Sequence, residues 1–144
     1  MMADKAKEIA LKFIGYFRET WPEDFDAPLQ LVSDDCYYQS IVPTTDAICG
    51  KTAIKAKWDK IRELYGDQRH DMKASASDGH FVFTERTDWS CIDGKWVSIP
   101  LVAVFEVVDE KIVAWREYLD GGNVARQAGL DLTALENSLN ASPA

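Results

Sequence analysis

The chain has 144 residues, 47% of them hydrophobic and 28% charged, with a formal net charge of −8. That length and composition fit one soluble globular domain, and the acidic balance argues against nucleic acid or an anionic lipid surface as partner. No apolar run nears the ~18 residues that a membrane span needs. The opening MMADKAKEIALKF is charged and helical rather than a leader. Three cysteines without CxxC spacing (Cys36, Cys49 and Cys91) point to free thiols in a reducing, cytoplasmic setting.

Along the chain, Ala3–Trp21 repeats apolar residues at helical period, with Asp4 as N-cap and Pro22 as stop. Phe25–Val32 reads as a short helix capped by Asp24. Cys36–Val42 is rich in Tyr, Ile and Val and reads as a strand. Pro43–Gly50 is a loop, and Lys51–Tyr65 a third helix with Ile54, Trp58, Ile61, Leu64 and Tyr65 on one stripe. Four strands follow: Arg69–Ser77, His80–Ser90, Lys95–Val108 and Lys111–Leu119. Asp78-Gly79, Asp93-Gly94 and Asp109-Glu110 mark their turns. Gly121–Leu139 is weakly helical, and Asn140–Ala144 is expected to fray. Helices first and a meander afterwards predict an α+β domain over residues 1–144. Its curved mixed or antiparallel sheet wraps the N-terminal helices and encloses a pocket.

Two strands carry charge where a buried face should be apolar. Residues i and i+2 of a strand share a face, so Arg86 and Asp88 lie together, as do Trp115, Glu117 and Leu119. A carboxylate beside Trp and Leu is paired or functional, because an isolated buried charge is costly. An arginine between two carboxylates satisfies all three groups. His70 and His80 stand ten residues apart, bracket a strand, and read as surface or edge residues rather than metal ligands.

TERTDW, the hairpin into IPLVAVFEV, and KIVAWREYLD together resemble the limonene-1,2-epoxide hydrolase family, within the nuclear-transport-factor-2-like and ketosteroid-isomerase-like superfamily. The resemblance runs from the YYQS stretch to Asp120. It implies a cone shape for the wrapped sheet and a cluster of Asp88, Arg86 and a second acid, with Tyr38 and its neighbour holding a water. The second acid is Glu117 where the family has Asp, and the water-holding position is Ser40 where the family has Asn. Asp120 falls on the opposite strand face and stays outside the cluster. The pocket lining implied is Ile61 and Tyr65 on the third helix, Ile99, Leu101, Trp115 and Leu119. Among the larger aromatics only Tyr65 and Trp115 are expected to touch ligand.

Epoxide opening needs a proton at the ring oxygen and a nucleophile at a ring carbon. Burial and mutual repulsion raise one carboxyl's pKa while the arginine keeps the other low. In this reading Asp88 is the general acid, Glu117 the general base on water, and Arg86 orients both. Tyr38 and Ser40 position the water, and no cofactor, metal or covalent intermediate is required. The expected substrate is a small apolar epoxide. A cofactor-free lyase or isomerase and a non-catalytic binding module remain alternatives, since fold alone does not choose. Pro100, Val102 and Val104 on the outer sheet face predict a homodimer.

Overall fold

The computed structural model describes residues 4–140. Residues 1–3 and 141–144, which include the first residue of the expected N-terminal helix and most of the expected frayed tail, lie outside the described residues. The elements are α1 (Lys5–Thr20), α2 (Asp26–Leu29), β1 (Val32–Gln39), β2 (Ile48–Cys49), α3 (Lys51–Ile61), β3 (Tyr65–Ser77), β4 (Phe81–Ile92), β5 (Lys95–Val108), β6 (Lys111–Leu119), α4 (Gly121–Ala128) and α5 (Leu132–Asn140). The class is α+β, as the element order predicts.

Helix α1 starts where Asp4 accepts the Lys7 amide at 3.0 Å and buries Ala6, Ala10, Phe13 and Ile14 on one side. The six strands form one curved sheet in the order β2-β1-β6-β5-β4-β3. Every neighbouring pair is antiparallel except β1 with β6, which is parallel. Register shifts interrupt β1, β3 and β5, and shifts of this kind bend and twist a strand. The hairpin turns are those of the sequence: Asp93 and Gly94 have φ of 50° and 80°, Asp109 and Glu110 of 51° and 62°.

Boundaries moved where tertiary pairing outweighed local pattern. Helix α2 is only four residues long, because the Leu31 carbonyl is captured by the Ile112 amide at 2.8 Å and the chain becomes strand from Val32. Helix α3 ends at Ile61, not Tyr65. Tyr65 pairs with Ile92, so it opens β3 rather than closing the third helix. Ile48 and Cys49 form the short edge strand β2 within what reads as loop. The C-terminal helix splits in two at Gly129, whose φ of 73° suits glycine, and Asn140 closes α5 instead of fraying.

The core between sheet and helices is aromatic. Phe13 meets Phe105 and Trp115 edge-on at 5.9 and 5.0 Å, and Trp115 stacks on Phe105 at 5.8 Å. Trp58, fully buried, packs edge-on against Phe17 at 5.0 Å. All three cysteines are free. Burial pushes the Cys36 thiol up to about 12, which keeps it inert. Among the described residues no helix is long and apolar enough to cross a membrane.

Candidate active site

The inner faces of β3 to β6 and helices α1 and α3 enclose a cavity of about 120 Å³. Strand register explains its polar strip. Thr84 on β4 and Glu117 on β6 both stand opposite Ala103 of β5, so only a methyl group lies between them. One row along, Arg86 faces Leu101, and beyond it Asp88 faces Ile99. The small Ala103 leaves room for the Arg86 guanidinium to reach across to β6.

That guanidinium uses four of its five donors. Its Nε donates to Asp88 Oδ1 at 2.8 Å and its Nη2 to Glu117 Oε2 at 2.6 Å, with a longer contact of 3.3 Å to Asp88 Oδ2. Nη1 donates to Thr84 Oγ1 at 3.0 Å. The side chains of Arg86, Asp88 and Glu117 are 3%, 15% and 13% exposed, so this is a buried cluster and not a solvated surface pair. One cation stands between two acids. Burial pushes the Glu117 carboxyl up to about 7, Arg86 opposes that shift, and the charge of Asp88 adds to it. Burial outweighs Arg86, so the acid pair keeps a proton well above the usual carboxylate range. The two carboxyls titrate as a unit through one guanidinium.

Every residue expected at the site lines this cavity: Tyr38, Ser40, Ile61, Tyr65, Arg86, Asp88, Ile99, Leu101, Trp115, Glu117 and Leu119. Parallel pairing of β1 with β6 sets Tyr38 opposite Trp115, and their rings stack at 4.2 Å. Burial raises the Tyr38 phenol, with Glu117 adding to the shift, so it is a hydrogen-bonding group and not an anion.

Several groups in or beside the cavity escaped sequence reading. Lys57 on α3 donates to Ser40 Oγ at 2.9 Å and lies 5.2 Å from the Tyr38 ring centre. Burial lowers its ammonium to about 8, with Glu117 and Asp46 opposing. Ser40 Oγ also pairs with Thr45 Oγ1 at 3.0 Å. A lysine one residue before Trp58 and three after Ile54, on the buried stripe of α3, was the available signal. His70 corrects the expectation of a surface histidine. Its side chain is 7% exposed, faces the cavity, and puts Nε2 3.8 Å from Asp88 Oδ2. Burial lowers its pKa, so the ring is neutral at pH 7. The register that sets His70 opposite Asp88 was not visible in β3 alone. Trp58 also lines the cavity, contrary to the expectation that only Tyr65 and Trp115 would among the large aromatics.

On the convex face, Val104 is buried at 8% exposure rather than open. Exposed apolar residues there include Phe83, Val102 and Tyr118, at 45%, 38% and 42%, with Val102 opposite Tyr118.

The model of the limonene-1,2-epoxide hydrolase catalytic domain matches residues 12–128. Epoxide hydrolase EphG of Mycobacterium tuberculosis is 32% identical over 100 residues, which span 68% of this chain and 64% of that relative. A solved M. tuberculosis epoxide hydrolase described as similar to limonene-epoxide hydrolase superposes with a TM-score of 0.73 at 27% identity, covering 91% of this chain and 94% of that one. A polyketide cyclase fold from Pseudomonas putida superposes with a TM-score of 0.74 at 21% identity, covering 85% and 96%, a likeness of fold alone. Taken with the buried Asp88–Arg86–Glu117 cluster at the position the sequence pattern indicates, these matches place the chain in the limonene-1,2-epoxide hydrolase family.

Proposed function

We propose that the protein hydrolyses a small, largely apolar epoxide in one step, without cofactor or covalent intermediate. The observation that carries this reading is a single buried guanidinium hydrogen-bonded to two acids of unequal environment. In the reacting form the pair holds one proton. Asp88 delivers it to the ring oxygen while Glu117 draws a proton from the attacking water. Glu117, raised to about 7, is a stronger base than an ordinary carboxylate. Arg86 stays in contact with both acids as charge passes between them. Tyr38 and Ser40 flank Glu117 and hold the water; Lys57 fixes Ser40 from behind. The hydrophobic walls at Ile61, Ile99, Leu101, Trp115 and Leu119 exclude competing solvent.

Turnover of a racemic alicyclic epoxide in ¹⁸O-labelled water tests this. The expected product is the diol carrying one labelled oxygen. Ser40, engaged by Lys57 and Thr45 where the family's asparagine amide would stand, favours a second reading. That reading is a lyase or isomerase using the same acid–base pair, and it is chosen if a ketone or diol turns over without solvent oxygen entering the product.

We further propose that Phe83, Val102 and Tyr118 bury against a second copy of the chain. A monomeric mass at micromolar concentration counts against that pairing. The three free thiols accord with a reducing, cytoplasmic location.

A further inference from the structure

Among the described residues, five buried side-chain polar atoms have no hydrogen-bond partner: Trp58 Nε1, Tyr65 Oη, His70 Nδ1, Ser90 Oγ and Trp115 Nε1. All five belong to side chains that line the cavity. Native proteins rarely leave such groups unpaired, since each costs roughly 1–3 kcal/mol when nothing replaces its water. Polar groups stand near four of them, Tyr38 beside Trp58, Glu117 beside Trp115, Ser138 beside Tyr65 and the Ile14 backbone beside His70, which leaves Ser90 Oγ as the one of the five with nothing polar from the chain against it.

Ser90 and His70 occupy diagonal positions on the Asp88 flank. Antiparallel register sets His70 opposite Asp88 and Gln68 opposite Ser90, so the four side chains form a square on the inner face of β3 and β4. Ser90 is 4% exposed and the His70 side chain 7%. Gln68, half-buried, lines the same stretch. The surrounding wall is apolar, with Ile99 beside Asp88 and Val97 beside Ser90.

We propose that Gln68, His70 and Ser90 form a subsite for a neutral oxygen substituent of the substrate, a hydroxyl or carbonyl, so that the natural epoxide is oxygenated rather than a plain hydrocarbon. Charge sets the class. Arg86 is already taken by two acids and Asp88 borders the patch, so a carboxylate or phosphate would lie against the Asp88 carboxyl, with the exposed Arg18 on α1 as the nearby cation. A cationic group would find no ionised partner beyond Asp88, which Arg86 holds. Serine, a neutral imidazole and an amide offer both donors and acceptors, which suits a hydroxyl or a carbonyl. Spacing sets the position. Ser90 lies two residues along β4 from Asp88, about 7 Å at the usual strand rise. The oxygen therefore belongs on the far side of a six-membered ring or its equivalent.

This inference rests on the epoxide-hydrolase reading, and the experiment separates the two. The probes are 4-ethylcyclohexene oxide and 4-(hydroxymethyl)cyclohexene oxide, equal in heavy-atom count and differing by one oxygen. The expected result is a kcat/KM about tenfold higher for the hydroxymethyl compound. Ser90→Ala and Gln68→Leu should each bring that ratio toward one. An equal or reversed preference in the parent protein, or a preference that both variants keep, overturns the subsite. If neither epoxide reacts, the hydrolase reading fails by itself. The subsite is then judged by the affinities of 4-ethylcyclohexanone and 4-(hydroxymethyl)cyclohexanone, where the same tenfold preference supports it and equal binding refutes it.

Discussion

Two regions meet at the cavity, an aromatic cluster shared by helices and strands and a polar strip on the sheet, and they follow different rules. One is the aromatic wall of Phe13, Trp58, Phe105 and Trp115, closely packed and almost entirely buried. The other is the polar strip of Thr84, Arg86, Asp88 and Glu117, on the same inner face of the sheet. The first gains stability from every contact, because burying aromatic surface is favourable and its edge-on pairs add to it. The second holds desolvated charge that is compensated but not repaid, since one guanidinium faces two acids. Lys57 belongs with the second wall, although its helix belongs with the first. Side chains of the aromatic wall are there for folding, whereas those of the strip reduce stability and make chemistry available.

Substitutions can break that division or sharpen it. The largest effect is expected from Asp88→Asn, which keeps the shape and removes the acid. Turnover should fall roughly 10³-fold or more while the melting temperature stays close to the parent's. Activity within tenfold of the parent in the folded variant would remove Asp88 from the chemistry. Trp58→Ala should do the opposite kind of damage and lower unfolding free energy by about 3–5 kcal/mol in denaturant titration, because it empties the centre of the aromatic wall.

Glu117 links the walls through pH. Its folded value of about 7 lies above its ordinary value of 4.5, so the folded chain binds this proton more tightly. The associated stability is complete below pH 4.5 and is lost as pH rises to about 7. Glu117→Gln leaves Arg86 facing one acid and removes the surplus charge. At pH 8 the variant should therefore be more stable than the parent by about 1–3 kcal/mol, and the gain should vanish near pH 4.5. The same proton governs rate. Above about pH 7 the pair has lost its shared proton and none is left to protonate the ring oxygen. The kcat of the parent should fall as pH rises through that value; a kcat that climbs instead would mean that another group supplies the proton.

The smallest effect is expected from Lys57→Met. The ammonium is lowered from 10.5 to about 8, so its burial penalty grows as pH falls through that window and is complete at pH 7. Relieving it should add about 1 kcal/mol of stability at neutral pH after the lost Ser40 hydrogen bond is counted. Turnover should drop about tenfold as Ser40 loses its anchor. Melting curves and kcat on one preparation check both at once.

Much of this was legible in the residues, for reasons that also explain what was not. The period-two spacing of Arg86 with Asp88, and of Trp115 with Glu117, fixed which side chains share a face, because strand geometry admits no other arrangement. The paired dipeptides fixed the hairpins. What stayed hidden depended on contacts between elements. His70 looks like any lone histidine until β3 is laid against β4 in register. Lys57 sits among apolar neighbours on α3 but gains meaning only when β1 brings Ser40 beneath it. Tyr65 carries a helical stripe in sequence, and only its pairing with Ile92 makes it strand. Val104 alternates outward as expected and is nonetheless covered, which no alternation pattern can report.

The parallel register of β1 on β6 makes catalysis a test of the whole architecture. The antiparallel neighbours are joined by short connections, but the β1–β6 pairing closes a span of chain that holds helix α3 and the four strands β2 to β5. Tyr38 and Ser40 therefore reach Glu117 late, across more than seventy positions of chain. A fragment ending before β6 would contain Arg86 and Asp88 but lack their counterpart, and recovery of turnover after dilution from denaturant should trace the slowest assembly event in the molecule.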